Sequence, residues 1–182
     1  MTVFVQNPRR KEYRLDEPKR YVFLLENIST ETEFVLAHRR TEVFVFALYD
    51  LRSSDRIKLR LRQRHLASET RCEISVRAVL RAGARMDFRG GIIVPGGLEA
   101  VSSSFSHFLL LDGAAAASAV PEMSVLSSRA DCRHGAVFSR PEAEQIDYLS
   151  ARGLTSRSAE ELLTEGFLRQ GKAQIDKLLR EK

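Results

Sequence analysis

Cys132 and His134 are the residues of this sequence whose types and spacing could do chemistry together. They lie two positions apart, so both side chains point to the same face if the segment is an extended strand. A thiolate and an imidazole are reasonable ligands for iron. Two side chains do not complete a metal site, and Cys132 could equally be a small core residue with His134 as a partly buried hydrogen-bonding group. The spacing alone leaves both interpretations open.

The remaining sequence lacks the motifs of common enzyme classes. The histidines show no His-x-x-His or Glu-x-x-His spacing that would indicate a classical metal site. No G-x-x-x-x-G-K-[ST] motif occurs, which argues against nucleotide hydrolysis. The serine-rich run at residues 102–106 has no G-x-S-x-G elbow around it. These motifs therefore give no support to a hydrolase or a nucleotide-hydrolysing enzyme.

The charge and composition are those of an ordinary folded domain. The net charge of +5 comes from 29 basic and 24 acidic residues, so both signs are mixed. The arginines of residues 52–64 have no interleaved aromatic residues, and a solvated strand face is favoured over a nucleic-acid site. Two cysteines are compatible with a reducing cytosol, and no stretch approaches the length of a membrane span. We expect a cytoplasmic protein that binds neither nucleic acid nor membranes.

Hydrophobic alternation indicates the elements that position Cys132 and His134. In residues 57–62, three aliphatic residues alternate with Lys58, Arg60 and Arg62, which is typical of a strand with one buried face. Similar runs recur through residues 21–138, separated by turn signals at residues 82–84, 89–91, 95–97 and 112–114. Residues 1–20 are expected to be an extension with one short strand at residues 3–5. Spacing alone leaves a sandwich, a barrel and a β-solenoid open.

Residues 139–182 are predicted to form a C-terminal helical segment. Ser139 with Glu142 fits a capping box for a first helix that stops at Gly153, and Ser158 with Glu161 fits a second box. The second helix carries one apolar stripe, which must either fold back on the body or contact another protein. The sequence favours these two options about equally. The stripe consists of Ala159, Leu162, Leu163, Gly166, Phe167, Ile175, Leu178 and Leu179.

The same C-terminal residues carry a family resemblance. They combine Cys-x-His-Gly-Ala at residues 132–136, Glu142 and Glu144, the run at residues 146–149, Arg152-Gly153, the Leu162-Leu163 pair and Gly166-Phe167. This pattern resembles the C-terminal signature of the SufB/SufD family, the β-helical components of the SUF iron–sulfur cluster assembly system. A thinner similarity continues upstream, so that the resemblance covers about the last 110 residues. Departures stand at Val137, Ser139 and Asp147, where the family usually has Thr, Gly and Phe.

The resemblance implies a fold and a subtype. It favours a right-handed parallel β-helix for the body, so the expected fold is mainly β with a short C-terminal α-helical segment. The position of the cluster-building cysteine of SufB types falls on Ser103, and the glutamate that follows the signature histidine there is Gly135 here. A serine hydroxyl cannot replace a thiolate as a soft ligand. His134 aligns with the histidine that the SufD type contributes near its interface with SufB, so the chain is similar to the SufD type.

The function that the resemblance implies is a noncatalytic scaffold or adaptor of cluster assembly. It would pair with a SufB-like subunit or with itself, with His134 and Cys132 as candidates for the cluster or interface site. Its helices would dock a SufC-like ATPase through Leu162, Leu163, Phe167 and Ile175. No cofactor is expected to be held stably by the chain alone, whereas a transient iron–sulfur cluster is expected in the complex.

Two other functions remain open at this stage. One is a β-solenoid enzyme acting on carbohydrate or acyl substrates, which would need carboxylates or a histidine clustered on one exposed face. The acidic residues of this sequence are scattered. The other is a stand-alone β-solenoid interaction module without a cluster function, with which Ser103 and the signature departures are compatible.

Overall fold

The computed structural model describes residues 2–180, which form eleven β-strands followed by two α-helices. The strands are β1 (Thr2–Gln6), β2 (Glu12–Leu15), β3 (Arg20–Glu26), β4 (Thr30–Leu36), β5 (Glu42–Arg52), β6 (Arg56–His65), β7 (Thr70–Arg81), β8 (Arg85–Val94), β9 (Ala100–Leu110), β10 (Ala116–Val125) and β11 (Ala130–Ser139). The helices are α1 (Ala143–Ser150) and α2 (Ser156–Arg180).

Successive strands alternate between two parallel sheets. Sheet A has the order β1-β3-β5-β7-β9-β11, and sheet B has the order β10-β8-β6-β4-β2. Each strand therefore pairs in parallel with the strand two places along the chain, as in β3 with β5 and β6 with β8. A chain that returns to the same sheet in every second strand is a β-solenoid. The predicted β-solenoid body with a C-terminal helical segment is confirmed.

The core lies between the two sheets and follows from the alternation in the sequence. In β6, Ile57, Leu59 and Leu61 are buried, while the basic residues between them face outward. Large aromatic side chains fill the interior at several levels of the solenoid, because a parallel sheet buried against another needs bulky side chains to close the gap. These residues are Phe23, Phe34, Tyr49, Phe88 and Phe108.

The predicted turns are found at residues 82–84, 95–97 and 112–114, but the one at residues 89–91 is wrong. Asp112 accepts hydrogen bonds at 2.9 Å from the backbone N–H groups of Ala114 and Ala115. Gly90 and Gly91 instead lie inside β8. A Cβ atom on Gly91 would stand 2.7 Å from Cγ of Arg62, so the glycine makes room for a side chain of the neighbouring strand.

Residues 2–20 are more regular than expected. β1 pairs with β3, and Glu12–Leu15, which the sequence does not mark as a strand, forms β2 and pairs with β4. The ring of Tyr13 lies 5.0 Å from that of Phe23, edge to face. These strands therefore continue both sheets of the solenoid.

Both helices begin at caps other than the predicted ones. Ser139 ends β11, and the capping box of α1 is formed by Glu142 with Gln145. The N–H of Ser158 donates to Oγ1 of Thr155 at 3.1 Å, so α2 begins before the predicted box. The first helix does end before Gly153, whose φ of +93° suits a glycine after a helix.

α2 lies on the outer face of sheet A. Ile175 is buried against side chains of β3 and β5, among them Val22, Phe44 and Leu48. Gly171 brings the helix backbone close to the sheet, because a Cβ there would stand only 2.6 Å from Cδ2 of Leu48. Within residues 2–180, neither helix is long and apolar enough to cross a membrane.

Candidate functional site

The C-terminal end of the solenoid is formed by β10 and β11, the last strands of sheet B and sheet A. We call it the open end, because no further strand of residues 2–180 pairs with either edge. Interior-facing side chains are left exposed here: Met123 is 50% exposed and Phe138 is 48% exposed. Phe138 stacks on the buried Phe108 with ring centroids 5.0 Å apart. The core is therefore open to a partner at this end.

Cys132 and His134 both lie on β11, at the open end. Cys132 is opposite Ser102 and His134 is opposite Ser104, and both serines are buried in the interior. The two candidate side chains therefore share the inner face of sheet A, as their spacing in an extended strand predicts. Each is half-buried.

The imidazole of His134 has unused hydrogen-bonding capacity. Its Nδ1 and Nε2 atoms and the hydroxyl oxygen of Ser104 are buried without a hydrogen-bond partner. A Cβ on Gly90 would stand 2.7 Å from the Ser104 oxygen and 3.1 Å from Cε1 of His134, so the glycine leaves room for both side chains. Burial lowers the pKa of His134. A neutral imidazole has one lone pair and one N–H donor, and neither is used within the described chain.

The thiol of Cys132 is not activated in this chain. It packs against Ile92, Val94 and Ala100, and burial together with Asp131 raises its pKa. Cys72 is fully buried, and burial also raises its pKa. Ser102 of β9 lies between the two cysteines, paired with Cys72 of β7 on one side and with Cys132 of β11 on the other. The cysteines are therefore two strand spacings apart, about 10 Å. That distance is too long for a disulfide between them.

Ser103 and Gly135 face outward from sheet A. Gly135 is opposite Phe105, and a Cβ there would stand 2.8 Å from the phenylalanine ring. A side chain at position 135 would therefore displace Phe105. Ser103 accepts a hydrogen bond at 3.0 Å through its backbone carbonyl from Nε2 of Gln63.

A buried polar cluster that the sequence analysis did not identify lies near Cys132. His65 is within hydrogen-bond distance of Thr70 Oγ1 (2.7 Å, Nδ1) and of Ser102 Oγ (3.1 Å, Nε2). Ser102 donates to Oε1 of Gln63 at 2.7 Å. Burial lowers the pKa of His65 to about 4. The alternation of β6, continued past Arg62, would have placed Gln63 and His65 inside.

The four residues predicted to dock an ATPase lie in different environments. Leu162 is 49% exposed and Leu163 is half-buried, whereas Ile175 is buried against sheet A. The ring of Phe167 lies 4.8 Å from that of His107 and 5.2 Å from the guanidinium carbon of Arg77. Phe167 and Ile175 therefore attach α2 to the body, and Leu162 presents the free face of the helix.

Among residues 2–180, no three His, Cys, Asp or Glu side chains are grouped closely enough to hold a metal ion. The arginines of the outer face of sheet B are paired in part with carboxylates, Arg60 with Glu31 at 3.0 Å and Arg64 with Glu33 at 3.0 Å. The imidazole of His134 is one of the buried polar groups of residues 2–180 that have no hydrogen-bond partner.

Comparison with known proteins agrees with this architecture. Residues 23–167 match the family described as SUF system FeS cluster assembly, SufBD core domain. An iron–sulfur cluster assembly SufBD family protein of Synechocystis is 31% identical over 85 residues, which are 46% of this chain and 19% of that protein. The iron–sulfur cluster assembly protein SufB of Bacillus subtilis is 26% identical over 105 residues, 57% of this chain and 23% of that protein.

A SufBD family protein of Mycobacterium bovis is 30% identical over 105 residues, which are 57% of this chain and 12% of that protein. The matched region thus spans less than a quarter of each of these three relatives. The family match, in contrast, covers most of the chain, from β3 to the middle of α2. The chain therefore belongs to the SufBD core domain family of the SUF iron–sulfur cluster assembly system.

Proposed function

We propose that this protein is a noncatalytic scaffold and adaptor of SUF iron–sulfur cluster assembly, acting in the cytoplasm. The observation that carries the proposal is the imidazole of His134, which lies at the open end with both ring nitrogens unpaired. A group that is desolvated and yet makes no hydrogen bond costs stability, so its presence calls for a role outside the isolated fold. Membership of the SufBD core domain family gives that role its context.

The open end is where a SufB-like subunit or a second copy of the chain would bind. β10 and β11 are edge strands whose outer backbone groups can pair with strands of another chain. Met123 and Phe138 would supply apolar contacts beside the paired strands. His134 would then lie next to the partner and offer one ligand to a transient cluster, with the partner supplying the others.

The SufD subtype is supported by the residues at two positions. Ser103 offers no thiolate where SufB types build the cluster, and Gly135 carries no carboxylate, since a side chain there would displace Phe105. The two thiols that the chain does have are kept protonated by burial, because a thiolate is disfavoured in apolar surroundings. We infer that this chain positions a cluster without building it.

α1 and α2 would dock a SufC-like ATPase. The exposed large apolar residues of this segment are Tyr148, Leu162 and Leu179, at 57%, 49% and 41% exposure. Phe167, Ile175 and half-buried Leu163 would support the contact by holding α2 in place. In this arrangement a single chain connects the ATPase to the open end.

The proposal is tested by co-expression with a SufB-like subunit and a SufC-like ATPase, followed by purification through a tag on this chain. A complex that contains all three proteins and assembles a cluster with added iron and sulfide is expected. A Phe138→Arg variant should lose the SufB-like subunit and keep the ATPase, since the substitution adds a charge only at the open end. A Leu162→Arg variant should lose the ATPase and keep the SufB-like subunit. If the wild-type chain recovers neither protein, it is instead a stand-alone interaction module.

A further inference from the structure

His107 lies under α2 at a point where three elements meet. On the outer face of sheet A it is directly opposite Arg77 of β7 on one side and Val137 of β11 on the other. Its Nε2 atom is 2.7 Å from the hydroxyl oxygen of Ser139, the last residue of β11. The ring of Phe167 from α2 meets it edge to face, with centroids 4.8 Å apart. One histidine thus connects β9, β11 and α2.

Arg77 binds the same part of α2. Its guanidinium lies over the ring of Phe167, 5.2 Å from the centroid, and Nη1 donates to the backbone carbonyl of Phe167 at 3.4 Å. Its Nε atom is buried without a partner. Next along α2, Gly171 packs against Leu48, the residue opposite Arg77 on β5. The middle of α2 therefore packs against the guanidinium of Arg77 and the imidazole of His107.

This arrangement requires a neutral imidazole. The charged group against His107 is Arg77 from β7, whereas β11 offers the Ser139 hydroxyl and the Val137 side chain, and α2 offers the Phe167 ring. Of the nearby carboxylates of α2, Glu161 pairs with Arg157 at 3.1 Å, and Glu165 faces a groove with Asp50 and Arg81. A proton on His107 would place two cations side by side under the Phe167 ring of α2, which is unfavourable.

We propose that Arg77, His107 and Phe167 form a proton-sensitive latch that holds α2 on sheet A. With His107 neutral, α2 is fixed to the body and, through Ser139, to the end of β11. Protonation of His107 weakens the attachment and frees the middle of α2. The latch itself is independent of the proposed function, and only its biological use rests on that function. Ser139 ends the strand that carries His134, and the latched helix is the one that would dock the ATPase.

The direction of the pH dependence follows from the burial of His107. Burial and Arg77 lower the pKa of His107 in the docked state. The docked state then binds fewer protons than the undocked state, whose histidine titrates near its ordinary pKa of about 6.5. Docking of α2 is therefore at full strength above that value and weakens as the pH falls below it.

The first test is a proton NMR titration of the four histidines in the full-length protein, with the His107 signal assigned by its absence in His107→Gln. We expect the His107 midpoint to lie below that of the same residue in Phe167→Ala and in Arg77→Met, which remove the covering ring and the neighbouring charge. Equal His107 midpoints in the wild type and in both variants would overturn the latch. The measurement needs no partner protein, so its failure is distinct from failure of the proposed function.

A second test uses the absence of tryptophan from the sequence. Phe167→Trp places a single emission probe in the latch and keeps an aromatic ring over Arg77. Between pH 8 and pH 5 we expect its emission to move to longer wavelength while the far-ultraviolet circular dichroism signal of the β body stays unchanged. Adding His107→Gln should abolish the shift, and adding His134→Gln should not. A shift that survives His107→Gln, or no shift over this range, contradicts the proposal.

Discussion

His134 stands directly opposite Ser104 across β9 and β11, and neither the ring nitrogens of the one nor the hydroxyl oxygen of the other has a hydrogen-bond partner in the described chain. Natural proteins satisfy the great majority of their buried polar atoms. Under the proposed function, these two adjacent exceptions at the uncovered end of the solenoid are the groups that a partner would meet.

Replacing His134 by alanine should change the stability of the isolated chain little and impair cluster assembly by the complete complex. The ring gives up no hydrogen bond, so we expect a change in unfolding free energy within about 1 kcal/mol, measured by urea denaturation. Ser104→Ala serves as the matched control, because it removes the other unpaired group without removing a ligand. If His134→Ala lowers the thermal midpoint sharply while cluster assembly is unaffected, His134 is a core residue only.

Gly90→Ala should destabilise the body. The added methyl group would stand 2.7 Å from the Ser104 oxygen and 2.9 Å from Cζ of Phe88, which forces the interior apart at a cost of about 1–3 kcal/mol. Gly113→Ala is the control, because nothing lies within 4 Å of a Cβ there. The two variants are compared by urea denaturation. If the two variants are equally stable, the space around Gly90 can accommodate a methyl group and the prediction is wrong.

Acid should destabilise the body through His65. Its pKa is lowered by burial to about 4, whereas the unfolded chain titrates near 6.5. The folded state binds fewer protons, so stability is full above about pH 6.5 and falls as the pH drops towards 4, by about 3 kcal/mol in all. Urea denaturation at several pH values should show this loss. In His65→Gln the pH dependence should be weaker by a similar amount, and an unchanged pH dependence would assign the loss to other groups.

The isolated protein should not hold a stable iron–sulfur cluster after anaerobic addition of iron and sulfide. Cys72 and Cys132 are its only cysteines. They are about 10 Å apart on opposite sides of β9, and two thiols cannot supply the four thiolate ligands of an iron–sulfur cluster. Visible absorption spectroscopy of the reconstituted protein tests this. A stoichiometric cluster spectrum that disappears in Cys132→Ser would contradict the prediction.

Leu162→Arg and Ile175→Ala should separate docking of the ATPase from folding of the helix. Leu162 is exposed, so the arginine should abolish co-purification of the ATPase and leave the thermal midpoint unchanged. Ile175 is buried against Val22 and Phe44, so its truncation should lower stability by about 2–5 kcal/mol. Full ATPase recovery by Leu162→Arg would place the contact elsewhere on the chain.

The sequence predicted the body well, because strand alternation is a local signal. The alternation of Ile57, Leu59 and Leu61 with basic residues placed one face inside, and the Cys132 and His134 side chains share a face as their spacing requires. The choice of a solenoid came from family resemblance rather than from alternation.

Features that depend on distant contacts were not predictable. Gly90 and Gly91 suggested a turn, but they lie in β8 because Ser104 and Arg62, from neighbouring parts of the fold, fill the space above them. Ser139 suggested a helix cap, yet its hydroxyl is engaged by His107. The sequence of α2 suggested that Phe167 contacts a partner. In the structure its ring packs against Arg77 of β7, a contact that the sequence of the helix alone does not indicate.

The most direct test of the scaffold function is the mass of the complex that forms when this chain is co-expressed with a SufB-like subunit and a SufC-like ATPase. Size-exclusion chromatography with light scattering should show one species that contains all three proteins, and Phe138→Arg should remove the SufB-like subunit from it. A wild-type chain that elutes at its own mass of 20.6 kDa, free of both proteins, would contradict the account.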